Sequence, residues 1–205
     1  MMPSLPIVGI GASAGGVEAL EQFFKSLPAG NGLAFVVVTH LPPDRESMLS
    51  EILGRATRMP VLDARDGEKV EAEHVYVLPP SAILTIRGGN LRLRRTGPTD
   101  RERAPIDVFF TSLAEDQAEH AIGVVLSGGG RDGAKGLRAI KDAGGITIVQ
   151  DPRDARVAAM PLQALAADHV DFKLPLLDIG PTLVRLVSEV DDDRVDETSP
   201  TTTTL

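Results

Sequence analysis

The stretch IVGIGASAGGVEAL, residues 7–20, decides the fold. Ile7 to Ile10 is a short apolar run of strand type, and from Gly16 onward Val17, Leu20, Phe24 and Leu27 recur at helical spacing. A strand therefore turns into a helix at Ser13. Two motifs overlap on that turn. Gly9, Gly11 and Ala14 fit the dinucleotide fingerprint G-x-G-x-x-G/A, in which glycines let a pyrophosphate approach a helix N-terminus. Gly11-Ala12-Ser13-Ala14-Gly15 also reads G-x-S-x-G, the tight turn that exposes a nucleophilic serine. The stretch places a site without choosing its chemistry.

The same alternation continues outward. AFVVVTHL (34–41) is a buried-strand run ending in His40, Pro42-Pro43 breaks it, and residues 45–55 read as a second helix. Strand signals follow at Pro60 to Leu62, at HVYVLPP (74–80) and at ILTIRGGNLRLR (83–94), where Gly88-Gly89-Asn90 joins two alternating runs into a hairpin. This middle part is antiparallel in character. Pro105 suits the first turn of a helix carrying Ile106, Phe109, Phe110 and Leu113. AIGVVLSGGGRDGAKG (121–136) repeats strand, glycine loop and helix; ITIVQ (146–150) is another buried strand, Met160 to Asp168 a helix, HVDFKL (169–174) a short strand, and about 178–189 a closing helix. The expected fold is α/β, an open doubly wound, mainly parallel sheet with helices on both faces and a small antiparallel hairpin.

Composition narrows the function classes. The chain of 205 residues, 42% hydrophobic, is long enough for one large domain. It has no cysteine, which removes disulfides, thiol nucleophiles and thiolate-bound metals. The four histidines show no H-x-x-H or H-E-x-x-H spacing, so neither a metal nor another cofactor is expected. A net charge of -8, one Tyr and no Trp argue against a nucleic-acid binder. No membrane-length apolar run and no leader pattern open the chain, so a cytoplasmic protein without membrane insertion is expected. Residues 1–190 are expected to form the catalytic domain, and the acidic, Thr-rich residues 191–205 a disordered tail or truncated linker.

A dinucleotide fold should end its second strand in Asp or Glu, roughly 20 residues after the glycines. Here that strand ends in Thr39-His40, and a histidine is what a serine nucleophile needs as general base. A third strand end delivers SGGGRDG (127–133). Ala134 stands where a phosphate loop has lysine, which leaves a glycine loop carrying Asp132. Its carboxylate can accept from His40 Nδ1 and steady the imidazolium, while Gly128, Gly129 and Gly130 let backbone N–H groups approach an oxyanion. Plainer readings stand beside these: Ser13 as the cap of the helix after it, Asp132 as the N-cap of the helix beginning near Gly133, His40 as a turn residue. Arg92, Arg94, Arg95, Arg101 and Arg103 read either as a docking patch for an acidic partner or as charge protecting an edge strand.

VGIGASAGGVEAL, VVVTHLPP, DGEKVEAEHVYVLPP, RAPIDVFFTSLAED, GVVLSGGGRDGAKGLRAIKDAGGITIVQD and MP at 160–161, in this order, resemble the catalytic domain of the chemotaxis protein-glutamate methylesterases (CheB type) over about residues 5–188. The resemblance implies a serine hydrolase that demethylates glutamate γ-methyl esters on chemoreceptor cytoplasmic helices, some members also deamidating glutamines. It puts the nucleophile on Ser13, the base on His40, the triad aspartate on Asp132 and the oxyanion donor on the Gly129 N–H. Met160, Pro161 and Arg131 fall in the substrate's vicinity. Two positions depart from the family: Ala14 replaces a frequent threonine, and Gly129 a bulkier residue. The family's receiver domain has no counterpart before Ile7, and FFKSLPAGNGLAFVVVTHL is most similar to modules fused to a receptor methyltransferase. Implied partners are methyl-accepting chemoreceptors and a fused or associated methyltransferase. The rival readings are a nucleotide-binding α/β module and an inactive CheB-like interaction domain.

Overall fold

The computed structural model describes residues 5–40, 48–96 and 104–196. Expectations for Pro42-Pro43, the start of the second helix, Arg101, Arg103 and residues 197–205 lie outside the described residues. In chain order the elements are β1 (Ile7–Ala12), α1 (Gly16–Ser26), β2 (Ala34–Thr39), α2 (Leu49–Gly54), β3 (Val61–Asp63), β4 (Val75–Val77), β5 (Ala82–Arg87), β6 (Asn90–Arg95), α3 (Pro105–Gln117), β7 (Ala121–Val125), α4 (Ala134–Asp142), β8 (Ile146–Gln150), α5 (Ala159–Ala166), β9 (Phe172–Leu174) and α6 (Leu176–Asp196).

Seven strands form one parallel sheet in the order β3-β4-β2-β1-β7-β8-β9. The chain winds outward from β1 in one direction, then restarts on its other side with β7. The strand order therefore reverses between β1 and β7, the crevice where open α/β sheets place their ligands. The middle of the chain corrects the antiparallel reading: β3 and β4 join the main sheet in parallel, and only β5 and β6 pair antiparallel, as a separate ribbon turned at Gly88-Gly89. Short strands of three residues carry too little pattern to show direction. The closing helix also runs further than expected, to Asp196, past the boundary placed at residue 190.

Two cores flank the sheet. Val8, Ile10 and Ala12 of β1 point to a layer with Leu20, Phe23 and Phe24 of α1, where three phenylalanines, Phe23, Phe24 and Phe35, pack edge to face at 5.0–6.0 Å. On the other face lie Ile106, Phe109 and Phe110 of α3 with Leu137 and Ile140 of α4. There β1 carries glycine instead of a side chain. A Cβ on Gly9 would stand 2.9 Å from Phe110 Cε1, and one on Gly11 2.5 Å from Ile106 Cγ2. The glycines that matched a nucleotide fingerprint make room for α3.

Candidate active site

The C-terminal ends of β1, β2 and β7 bring Ser13, His40 and the loop 127–133 to one rim. Ser13 is held by backbone on both sides. Its N–H donates to the Ser127 carbonyl at 3.0 Å, and its carbonyl accepts the Gly16 N–H at 2.7 Å, closing the turn into α1. Its hydroxyl does not cap that helix, whose N-cap is Gly15 with no side-chain bond. Instead Ser13 Oγ donates to the His40 backbone carbonyl at 3.2 Å. The hydroxyl and His40 are thus neighbours, and the imidazole, on an exposed residue, is not bonded to Ser13. Ala14 is exposed beside them, and among the described residues the N–H groups of Ala14 and Gly129 donate to no protein acceptor.

Asp132 is buried, 8% exposed, and neither of its two expected bonds is formed. The N-cap of α4 is Gly133, without a side-chain cap. The Asp132 carboxylate reaches instead to the neighbouring helix: Oδ2 accepts the Ile106 N–H at 3.0 Å and Oδ1 the Asp107 N–H at 2.9 Å, two unpaired donors of the first turn of α3. Asp107 returns the arrangement, its Oδ1 accepting from Gly133 N at 2.9 Å and Gly136 N at 2.8 Å at the start of α4. The start of α3 is thus capped by Asp132 from the loop before α4, and the start of α4 by Asp107 of α3. Burial pushes the Asp132 carboxyl above its ordinary pKa, against the lowering effect of those N–H bonds, and the Asp107 charge adds to the rise. Both Asp132 oxygens retain a lone pair, so a further donor can be accepted.

His40 and Asp132 line the same cleft, of about 720 Å³, with Gly129, Gly130, Arg131 and Lys135 on one side and Gln163 and Ala166 of α5 on the other. Met160 stands against the loop. A Cβ on Gly128 would lie 2.6 Å from Met160 Cε and 3.1 Å from Ser13 Cβ, and the Met160 N–H donates to the Gly128 carbonyl at 2.9 Å. Pro161 is buried in the first turn of α5, and Arg131 is exposed at the cleft. Among the described residues no group of three His, Cys, Asp or Glu side chains is gathered for a metal ion, and no helix is long and apolar enough to cross a membrane.

Comparison with known proteins decides the family. The model of the CheB methylesterase family matches residues 8–183. The chain belongs to the CheB methylesterase family. A solved CheB methylesterase catalytic domain from Thermotoga maritima is 31% identical, with a TM-score of 0.80 over 89% of this chain and 99% of that one. A putative protein-glutamate methylesterase/protein-glutamine glutaminase of Leptospira interrogans is 35% identical over 86% of this chain and 92% of its own length. An uncharacterized 104.1 kDa protein of Rhodobacter capsulatus is 44% identical over 65% of this chain, which corresponds to only 14% of that protein. The chain spans about half the length, 52–53%, of several further CheB relatives. A CheB module can thus be a small part of a much longer polypeptide.

Three residues around the candidate site, Asp107, Ser127 and Gln150, carry little signal in the sequence. Asp107 sits two positions after Pro105, where an acid in a first turn reads as a local dipole partner rather than as the cap of another helix. Ser127 was a letter in a glycine loop. Gln150 is a single polar residue at the end of a buried run, and that mismatch was the available signal.

Proposed function

We propose that this CheB domain hydrolyses glutamate γ-methyl esters on proteins, releasing methanol, with glutamine deamidation as the related reaction of the same site. The observation that carries the reading is the meeting of Ser13, His40 and the Gly128–Asp132 loop at the strand-order reversal, in a family whose relatives are named for this activity. Ser13 Oγ attacks the ester carbonyl carbon. His40, turned from its resting position toward the hydroxyl, takes the proton and gives it to the departing methanol; water then enters with the same base and releases the glutamate. The free N–H groups of Ala14 and Gly129 are the oxyanion donors, which suits a site lacking a side-chain hydroxyl at position 14. Asp132 accepts from the imidazole with the lone pairs left after capping α3. Such bonds are often long in empty sites and tighten around substrate. Chemoreceptor helices are the substrate class, and the exposed arginines of the hairpin, Arg92, Arg94 and Arg95, favour an acidic partner.

Ser13→Ala tests the reading. Methanol release from a methyl-esterified substrate protein is expected to fall to a residual level, with an unchanged melting temperature, because the Ser13 side chain contributes one exposed hydrogen bond to the fold. Turnover equal to wild type overturns the nucleophile assignment.

A further inference from the structure

Ser127, at the C-terminal end of β7, is 1% exposed, and every polar group it owns is engaged around the nucleophile turn. Its carbonyl accepts the Ser13 N–H at 3.0 Å. Its hydroxyl donates to the Ala14 carbonyl at 2.9 Å and accepts the Val157 N–H at 3.0 Å. The Val157 carbonyl stands farther away, at 3.5 Å, so the single hydroxyl proton belongs to Ala14. Its own N–H donates at 2.9 Å to Oε1 of Gln150, itself 1% exposed, whose Nε2 is anchored on Asp154. The turn is built around this hydroxyl. Gly15 has φ +73°, and a Cβ there would meet Ser127 Oγ at 2.8 Å, so the last glycine of the G-x-S-x-G motif leaves the space the hydroxyl occupies.

We propose that Ser127 is a positioning residue for the nucleophile. It pins the backbone just before the Ser13 side chain through its carbonyl and just after it through its hydroxyl. The same hydroxyl ties the turn to Val157, whose carbonyl accepts the Gly128 N–H at 3.0 Å, and so to the glycine loop and Met160. One buried oxygen thereby sets the distance between the attacking Ser13 Oγ and the N–H donors of Ala14 and Gly129. Ser127 touches no substrate. Without the hydroxyl the Ala14–Gly15 peptide loses its partner on the β7 side, and the change in backbone dihedrals between Ala14 and Gly16 that follows would shift the turn carrying both the Ser13 side chain and the Ala14 N–H.

This rests on Ser13 as nucleophile, and the experiment separates the two claims. Ser127→Ala, Ser127→Thr and Ser13→Ala are compared with wild type, well below their melting temperatures, for kcat and KM on a glutamate γ-methyl ester peptide and for the rate of Ser13 labelling by an organophosphonate. Ser127→Ala is expected to lose roughly 10- to 100-fold in kcat and in labelling rate, with KM within about threefold, since misplacement by about an ångström costs on that scale. Ser127→Thr, which keeps the hydroxyl, is expected to restore both. A melting temperature lowered without loss of kcat or labelling overturns the positioning role while leaving Ser13 in place. An active Ser13→Ala overturns the nucleophile reading and the inference with it. Should Ser127→Ala not fold, Ser127→Cys supplies the test: the thiol keeps the volume and donates weakly, so a reduced labelling rate is expected and an unchanged one overturns the proposal.

Discussion

Asp132 accepts one backbone N–H on each carboxylate oxygen, and an asparagine can accept on only one. Asn is ordinarily as good a cap as Asp, but here its NH₂ would face a buried donor at the start of α3. Asp132→Asn is therefore expected to lower stability by about 1–3 kcal/mol, the cost of an unpaired buried donor, measured by denaturant unfolding. The pH dependence has a definite sign. A carboxyl whose folded pKa is raised contributes stability that is fully present below the ordinary carboxylate range and lost as pH rises through the elevated value. Asparagine lacks that dependence, so the stability gap between wild type and variant should narrow as pH rises across that window; a constant gap would show that burial does not govern this carboxyl. As an imidazole partner, Asp132 also predicts a fall in kcat of up to about 10⁴-fold on the same substitution, read at a temperature where the variant is folded. On the same rim, Asp151 is pushed the other way, down to about 2, by hydrogen bonds from the Arg153 side chain and backbone N–H. Two aspartates at neighbouring strand ends differ because one is capped by neutral backbone N–H groups in a dry place and the other by an exposed guanidinium.

At the scale of elements, the approach of α3 to β1 is what the glycines of the first strand are for. Phe109, Phe110 and Ile106 occupy the volume that side chains at Gly9 and Gly11 would need. Gly11→Ala is expected to destabilise the domain by about 1–3 kcal/mol through overpacking against Ile106. Ile106 also gives its N–H to Asp132, so the displaced helix should loosen the reciprocal caps, and hydrogen exchange at Ile106 and Asp107 is expected to quicken. An unchanged unfolding midpoint, together with calorimetric binding of NAD or ATP lost in the variant, would return those glycines to a phosphate. The far end of the glycine loop is tied through Gly133 and Gly136 to Asp107 of α3.

Across the whole molecule, net charge and local charge diverge. The chain carries -8 overall, yet β6 ends in exposed Arg92, Arg94 and Arg95. Part of the outward edge of β6 is covered without these arginines: Leu91 exchanges backbone bonds with Gly67 and Glu68, and Leu93 N–H donates to Asp66. Reversing charge at Arg94 and Arg95 is expected to raise KM for an acidic protein substrate severalfold, with kcat and monomer solubility unchanged. Aggregation with an unaltered KM would restore the edge-protection reading.

Much of this was legible in the chain. Strands of five or six residues and amphipathic helices show their periods locally, so β1, α1, β2, the hairpin, α3, β7, α4 and β8 could be placed from sequence, and with them the strand ends near Ser13, His40 and Asp132. The family was legible too, since its motifs are runs of adjacent residues. What only the tertiary structure decided were relations between distant positions. The direction of β3 and β4 depends on partners, because a three-residue strand has no pattern of its own to fix a register. Asp132 caps α3 and not the helix beside it, and Ser127 grips Ala14 across 113 positions of chain, because hydrogen-bond partners are chosen by proximity in space. A glycine in a sequence looks the same whether a phosphate or a phenylalanine fills its empty side; here the packing of α3 on β1 chose the phenylalanine.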